Sequence, residues 1–208
     1  MAENFADMSN GEFTAALGSA AAVPGGGGAA ALLGALAASL CAMSANLTAG
    51  RKKFEAVKAQ AQEAADRAEE LRQKFLELLD KDAQAFIPLS KAYSVENSNP
   101  ARERILRDAS IAACGAALEM LRCCCSSTEL LENMLEIGNP MLVSDVGCGA
   151  AACSACMKAA AMNVLVNTAG LKEDAEARSI NEEVWEVLKC FIPRLDCITD
   201  TVMARLEE

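Results

Sequence analysis

From Phe13 to Gly50 the chain runs for 38 residues without a single charged side chain. Such a stretch can lie in lipid or be enclosed by protein, and few other environments suit it. Its make-up decides between the two. It is built from Ala and Gly rather than Leu, Ile and Phe, and it contains Pro24, four consecutive glycines, Ser39, Asn46 and Thr48. Ala and Gly gain little on transfer to lipid. The run therefore reads as a helix surrounded by other helices in a protein outside the membrane.

The rest of the composition agrees. Forty-two of the 208 residues are Ala, and aromatic residues make up only 4%. Residues that favour strands are scarce, so sandwiches and barrels are excluded. The predicted fold is all-α, one helical-bundle domain over residues 1–208 with six to seven helices. The chain has no His, which removes the imidazole-dependent catalytic triads and zinc sites. A net charge of −10 argues against a nucleic-acid partner. Met1 to Phe5 shows neither a basic nor an apolar leader region, so a cytoplasmic protein with reduced thiols is expected. Cys153-Ser154-Ala155-Cys156 has redox or metal spacing but falls inside a predicted Ala-rich helix, and the ten Cys read as small buried side chains with no metal centre.

Ser9-Asn10-Gly11-Glu12 is a capping box for a short helix over about 10–21. A second helix should start in the glycine run and reach about Asn46. A third should open at Arg51-Lys52-Lys53, with Phe54, Val57, Ala61, Ala64, Ala68, Leu71, Phe75 and Leu78 on one face. Pro88 should end or kink it near Ile87. Asn99-Pro100 should begin a fourth helix reaching about 124, and Ser126 to Glu129 either cap a fifth or lie within a longer fourth. Ser144 or Asp145 should cap the next, which ends at Gly170. The last should run from about 173, with a kink at Pro193.

Polar residues on apolar faces give the chemical clues. At about 100° per residue, Asp82 falls near the centre of the Leu71–Phe75–Leu78–Leu79–Phe86 stripe, whereas Asp80 falls on the solvent side. A carboxylate there either caps or pairs with a neighbour, or is a catalytic acid or base. On the helix that opens at Ser144, Asp145, Asn163 and Asn167 share one face with small residues. They either bond an adjacent helix or line a wall for a heterocycle. Gly25, Gly26, Gly27 and Gly28 either make a tight turn or offer backbone N–H groups to a ligand. Arg51, Lys52 and Lys53 are the first cations in the chain, and they sit where a predicted helix disfavours cations.

These strings, in this order, resemble the cyclodeaminase/cyclohydrolase family. They are Pro24-Gly25-Gly26-Gly27-Gly28; Asn46-Leu47-Thr48 with Gly50-Arg51-Lys52-Lys53-Phe54; Asp82-Ala83-Gln84-Ala85-Phe86; Ser144-Asp145-Val146-Gly147; and Asn163-Val164 with Asn167. The resemblance covers about residues 9–170. The chain departs from it at Gly28, where Ser is frequent, and in its Cys content. The resemblance implies an all-α homodimer acting on tetrahydrofolate derivatives, with or without a polyglutamate tail, and with no cofactor. It implies hydrolysis of 5,10-methenyltetrahydrofolate to 10-formyltetrahydrofolate, or the ammonia-releasing cyclisation of 5-formiminotetrahydrofolate. A non-catalytic ligand-binding dimer is the remaining reading. In the enzyme readings Asp82 is the proton carrier, Asp145 orients the pterin or stabilises the amidinium charge, and Lys52 relays a proton or clamps an anion. Gly25 to Gly28, Asn46, Asn163 and Asn167 contact the ring system, and Arg51 and Lys53 meet glutamate carboxylates.

Overall fold

The structure is a computed structural model describing residues 4–207. The first three residues, read above for a leader, lie outside the described residues. Six α-helices follow in order: α1 (Asn10–Leu17), α2 (Gly26–Ala49), α3 (Lys58–Tyr93), α4 (Arg102–Ile137), α5 (Val143–Thr168) and α6 (Ala175–Glu207), with short 3-10 turns at Phe5–Asp7, Lys52–Val57 and Pro140–Leu142. No strand occurs among the described residues. The all-α expectation is met.

The uncharged run forms the central element. α2 packs against α3, α5 and α4, and Ala30, Ala31, Ala37 and Ala45 along it are fully enclosed. Small side chains let the axes approach closely, most visibly at Gly34, where any Cβ would overlap the ring of the fully buried Phe75. By length and composition alone, α2, α4 and the stretch Pro140–Thr168 are each long and apolar enough to cross a membrane. In α2, 61% of the most apolar window is buried inside the protein. α2 and α5 run antiparallel: Asn163 near the end of α5 faces Gly26, and the Asn139 N–H just before α5 donates to Thr48 Oγ1 at 2.9 Å.

Several boundaries move from their expected places. The Ser9–Glu12 capping box forms, but α1 stops at Leu17. Arg51–Lys53 lead into a 3-10 turn, and α3 begins only at Lys58. α3 passes through Pro88 to Tyr93. Pro88 deprives the Gln84 carbonyl of its usual donor, yet both residues are exposed, so water can replace the lost bond. α4 is a single helix to Ile137, with Ser126–Glu129 inside it. It starts two residues after Pro100, and Asn99 Oδ1 caps the preceding turn by accepting from the Ala101 N–H at 2.9 Å. Neither Ser144 nor Asp145 caps α5. The chain enters through the 3-10 turn at Pro140–Leu142, capped by Asn139 Oδ1, so both lie already inside the first helical turn. Asp80, placed by the wheel on the solvent side, is half-buried and accepts the Phe5 N–H at 2.8 Å.

The Cys residues are all free, six of them buried. Burial raises the thiol of Cys41 to about 12 and those of Cys114 and Cys123 to about 11. Cys124 and Cys156 touch at 3.3 Å between sulfurs. Hydrogen bonding and burial likewise raise the Cys124 thiol, so it is a poor nucleophile and packs α4 against α5. The expectation of buried thiols fails at Cys148, Cys190 and Cys197, which are exposed.

Candidate active site

Asp82 sits one turn beyond Leu78 and Leu79, which are buried on the core face of α3. Its carboxylate is half-buried against the first turn of α2. Gly27 makes that approach possible, since a Cβ at position 27 would overlap the carboxylate itself. Burial pushes the Asp82 carboxyl above its ordinary range, and the Gly28 backbone N–H partly offsets this by favouring the ionised form. No cation pairs with Asp82 among the described residues, so pairing with a lysine is set aside, whereas its bond from the Gly28 N–H meets the reading in which it caps a neighbouring helix.

Four helices, α2, α3, α4 and α5, line a cavity of about 180 Å³ around this carboxylate. α2 contributes Gly26 and Gly27, with Gly25 just ahead of it; α3 contributes Asp82 and Phe86; α5 contributes Asn163 and Asn167. Asn163 Nδ2 donates to the Ala159 carbonyl at 2.8 Å, and its side-chain amide lies against Gly26. The Gly-rich helix start directs its free N–H groups, the positive end of α2, towards the same region. The result is one desolvated carboxylate facing two primary amides across an apolar floor. Such a site can take and return a proton beside a ring rich in donors and acceptors.

The structure thus brings Gly25, Gly26, Gly27, Asp82, Asn163 and Asn167 together. Gly28 contributes its backbone N–H and does not line the cavity: a side chain there would point at Pro24 and Phe13. The remaining sequence candidates lie at the opposite end of the bundle. Asn46 is twenty residues along α2 from Gly26, about 30 Å at the helical rise, and Asp145 is about 27 Å from Asn163 along α5. Arg51, Lys52 and Lys53 follow Asn46 and are exposed. Within one protomer none of these reaches the Asp82 cavity. Sequence reasoning missed Ala113 on α4 as part of the wall, and nothing in its surroundings marks it. Leu89, seven residues beyond Asp82, was legible from helical spacing.

The sequence compares closely with proteins of one group. Residues 9–186 match the family model described as formiminotransferase-cyclodeaminase. The chain belongs to the formiminotransferase-cyclodeaminase family. A methenyltetrahydrofolate cyclohydrolase of Methylorubrum extorquens is 33% identical over 195 residues, covering 85% of this chain and 94% of that protein. The formimidoyltransferase-cyclodeaminase of Sus scrofa is 26% identical over 197 residues, covering 93% of this chain but 36% of the pig protein. The crystal structure of a formiminotetrahydrofolate cyclodeaminase from Thermotoga maritima superimposes with a TM-score of 0.81 at 29% identity, covering 97% of this chain and 96% of that one.

Proposed function

We propose that this chain is a methenyltetrahydrofolate cyclohydrolase that hydrolyses 5,10-methenyltetrahydrofolate to 10-formyltetrahydrofolate. The observation that carries the reading is the unpaired, desolvated Asp82 carboxylate held against Gly27 in a cavity flanked by two amides. The bridge carbon of the substrate is already an electrophilic amidinium, so the reaction needs neither an imidazole nor a cofactor. Asp82 takes one proton from the attacking water as its oxygen bonds to that carbon. The carbinol then collapses: the carbon–N5 bond breaks, Asp82 returns its proton to N5, and the carbinol proton leaves to solvent as the formyl C=O forms. Asn163 and Asn167 hold the pterin edge. The Gly28 N–H at the positive end of α2 favours the ionised form of Asp82 against its burial, the form that a base requires.

The cyclodeaminase activity for which the Thermotoga and pig relatives are named is the second reading, because both similarities extend over nearly all of this chain. Two assays on the purified chain decide. Loss of the methenyl absorbance band faster than in buffer is the expected result. Release of ammonia from 5-formiminotetrahydrofolate without methenyl hydrolysis would reverse the assignment. A stable, undiminished band with bound ligand would leave a non-catalytic binder.

We further propose a homodimer located in the cytoplasm, without membrane or nucleic-acid partners. The exposed apolar strip on α2 supports the dimer, and ten free thiols support the compartment. Asp145, Lys52 and Asn46 act at the reacting carbon only if a second copy brings them there.

A further inference from the structure

The Asp82 cavity is too small for a whole folate, since ligands of that size occupy roughly 300–1,000 Å³. It adjoins, however, a second cavity of about 640 Å³, and Val166 and Asn167 line both. Helices α3, α4 and α5 line both. On α3 the lining passes from Asp82 and Phe86 to Tyr93, and on α4 from Ala113 through Ser110 to Arg104. Ala113 and Arg104 are about 13 Å apart along the axis, a length that an aminobenzoyl-glutamate arm spans. Two arginines line this outer cavity. Arg107 is already occupied, bonded to Asp174 at 2.9 Å, Glu176 at 2.6 Å and Asp108 at 3.2 Å. Arg104 is exposed and has no ion-pair partner among the described residues. Glu103 beside it at the rim disfavours a second anion close by.

We infer that this outer groove is the seat of the substrate's aminobenzoyl-glutamate arm, with the Tyr93 ring flanking the benzoyl group and Arg104 anchoring a glutamate carboxylate. The inference rests on the cyclohydrolase reading and deepens it. It gives the specificity-determining cation to the chain that holds Asp82, in place of Arg51 and Lys53, which stand about 30 Å away in that protomer.

The test compares 5,10-methenyltetrahydrofolate with 5,10-methenyltetrahydropteroate, which keeps the aminobenzoyl ring but has no glutamate. The readout is the ratio of the two kcat/KM values. Arg104→Ala should lower the preference for the glutamate-bearing substrate about tenfold, chiefly through its KM. Arg104→Lys should restore part of it. Tyr93→Ala should raise KM for both substrates and leave the ratio alone. An unchanged ratio in Arg104→Ala, or a collapse of the ratio in the Arg51→Ala/Lys53→Ala double variant instead, would overturn the inference while the cyclohydrolase reading stands. No turnover of either substrate by the wild-type chain would overturn that reading, and this inference with it.

Discussion

At the level of single residues, Asp82 combines a stability cost with a catalytic use. Its carboxyl is raised above the ordinary value of about 3.9 because the charged form is desolvated. Between that unfolded value and the raised folded one, the native protein binds more protons than the unfolded chain. Stability therefore falls as pH rises through the window and stays lower above it. Asp82→Asn removes the titration and keeps the shape. The variant should unfold at a higher temperature than the parent at pH 7, with the gap closing as pH is lowered towards 4, while methenyl hydrolysis drops by roughly two or more decades. The same raised value places the acid limb of the parent's kcat/KM profile above that of an ordinary aspartate. Thermal melts and a pH–rate profile check both signs. Near-normal turnover in the variant would remove Asp82 from the mechanism. Asp82 was legible in the sequence because one charge in a periodic apolar stripe stands out. Asp80 was misjudged because its partner is the backbone of Phe5, 75 residues away, and a wheel of one helix carries no information about distant chain.

Among the elements, α2 and α3 show what helical periodicity can and cannot reveal. α3 has a sharp apolar face: Ala61, Ala64, Ala68, Phe75 and Leu78 are buried as the spacing predicts, while Leu71 is half-buried. α2 is apolar all round, so its pattern shows that it is enclosed but not which residue meets which neighbour. That information lies at Gly34, whose missing side chain admits Phe75. Gly34→Ala should raise intrinsic helix propensity yet lower stability, by about 1–3 kcal/mol from overpacking. A denaturant titration with unchanged m-value would show it. Gain of stability would mean that α2 and α3 can slide apart at no cost. Phe75→Leu on the Gly34→Ala background should recover part of the loss, since the smaller side chain vacates the overlap.

The whole molecule separates the sequence candidates into two groups at opposite ends of the bundle, and a second copy offers a way to reunite them. Leu36, Met43 and Leu47 on α2 are 51%, 38% and 44% exposed. With Leu36 at zero, Leu32, Leu40, Met43 and Leu47 all fall within about 40° of one line. An uninterrupted apolar line on a helix with no charge to guard it is the kind of surface that marks an interaction site. A twofold axis crossing α2 near its middle would cover the line with its own copy and exchange the two ends of the helix. The Asn46 to Lys53 segment of one protomer would then lie towards the Gly25–Gly28 end of the other. In the sequence all these strings read as parts of one site because linear order carries no distance; the antiparallel run of α2 and α5 is what parts them. Leu36→Glu with Met43→Glu places two like charges on that line, and sedimentation should show the proposed dimer replaced by a folded monomer. The activity of that monomer then separates two mechanisms. A drop of about tenfold or more in kcat, with helicity retained, would place Lys52 or Asp145 across the dimer from Asp82. Full activity in the monomer would confine the chemistry to Asp82, Asn163 and Asn167 of one chain.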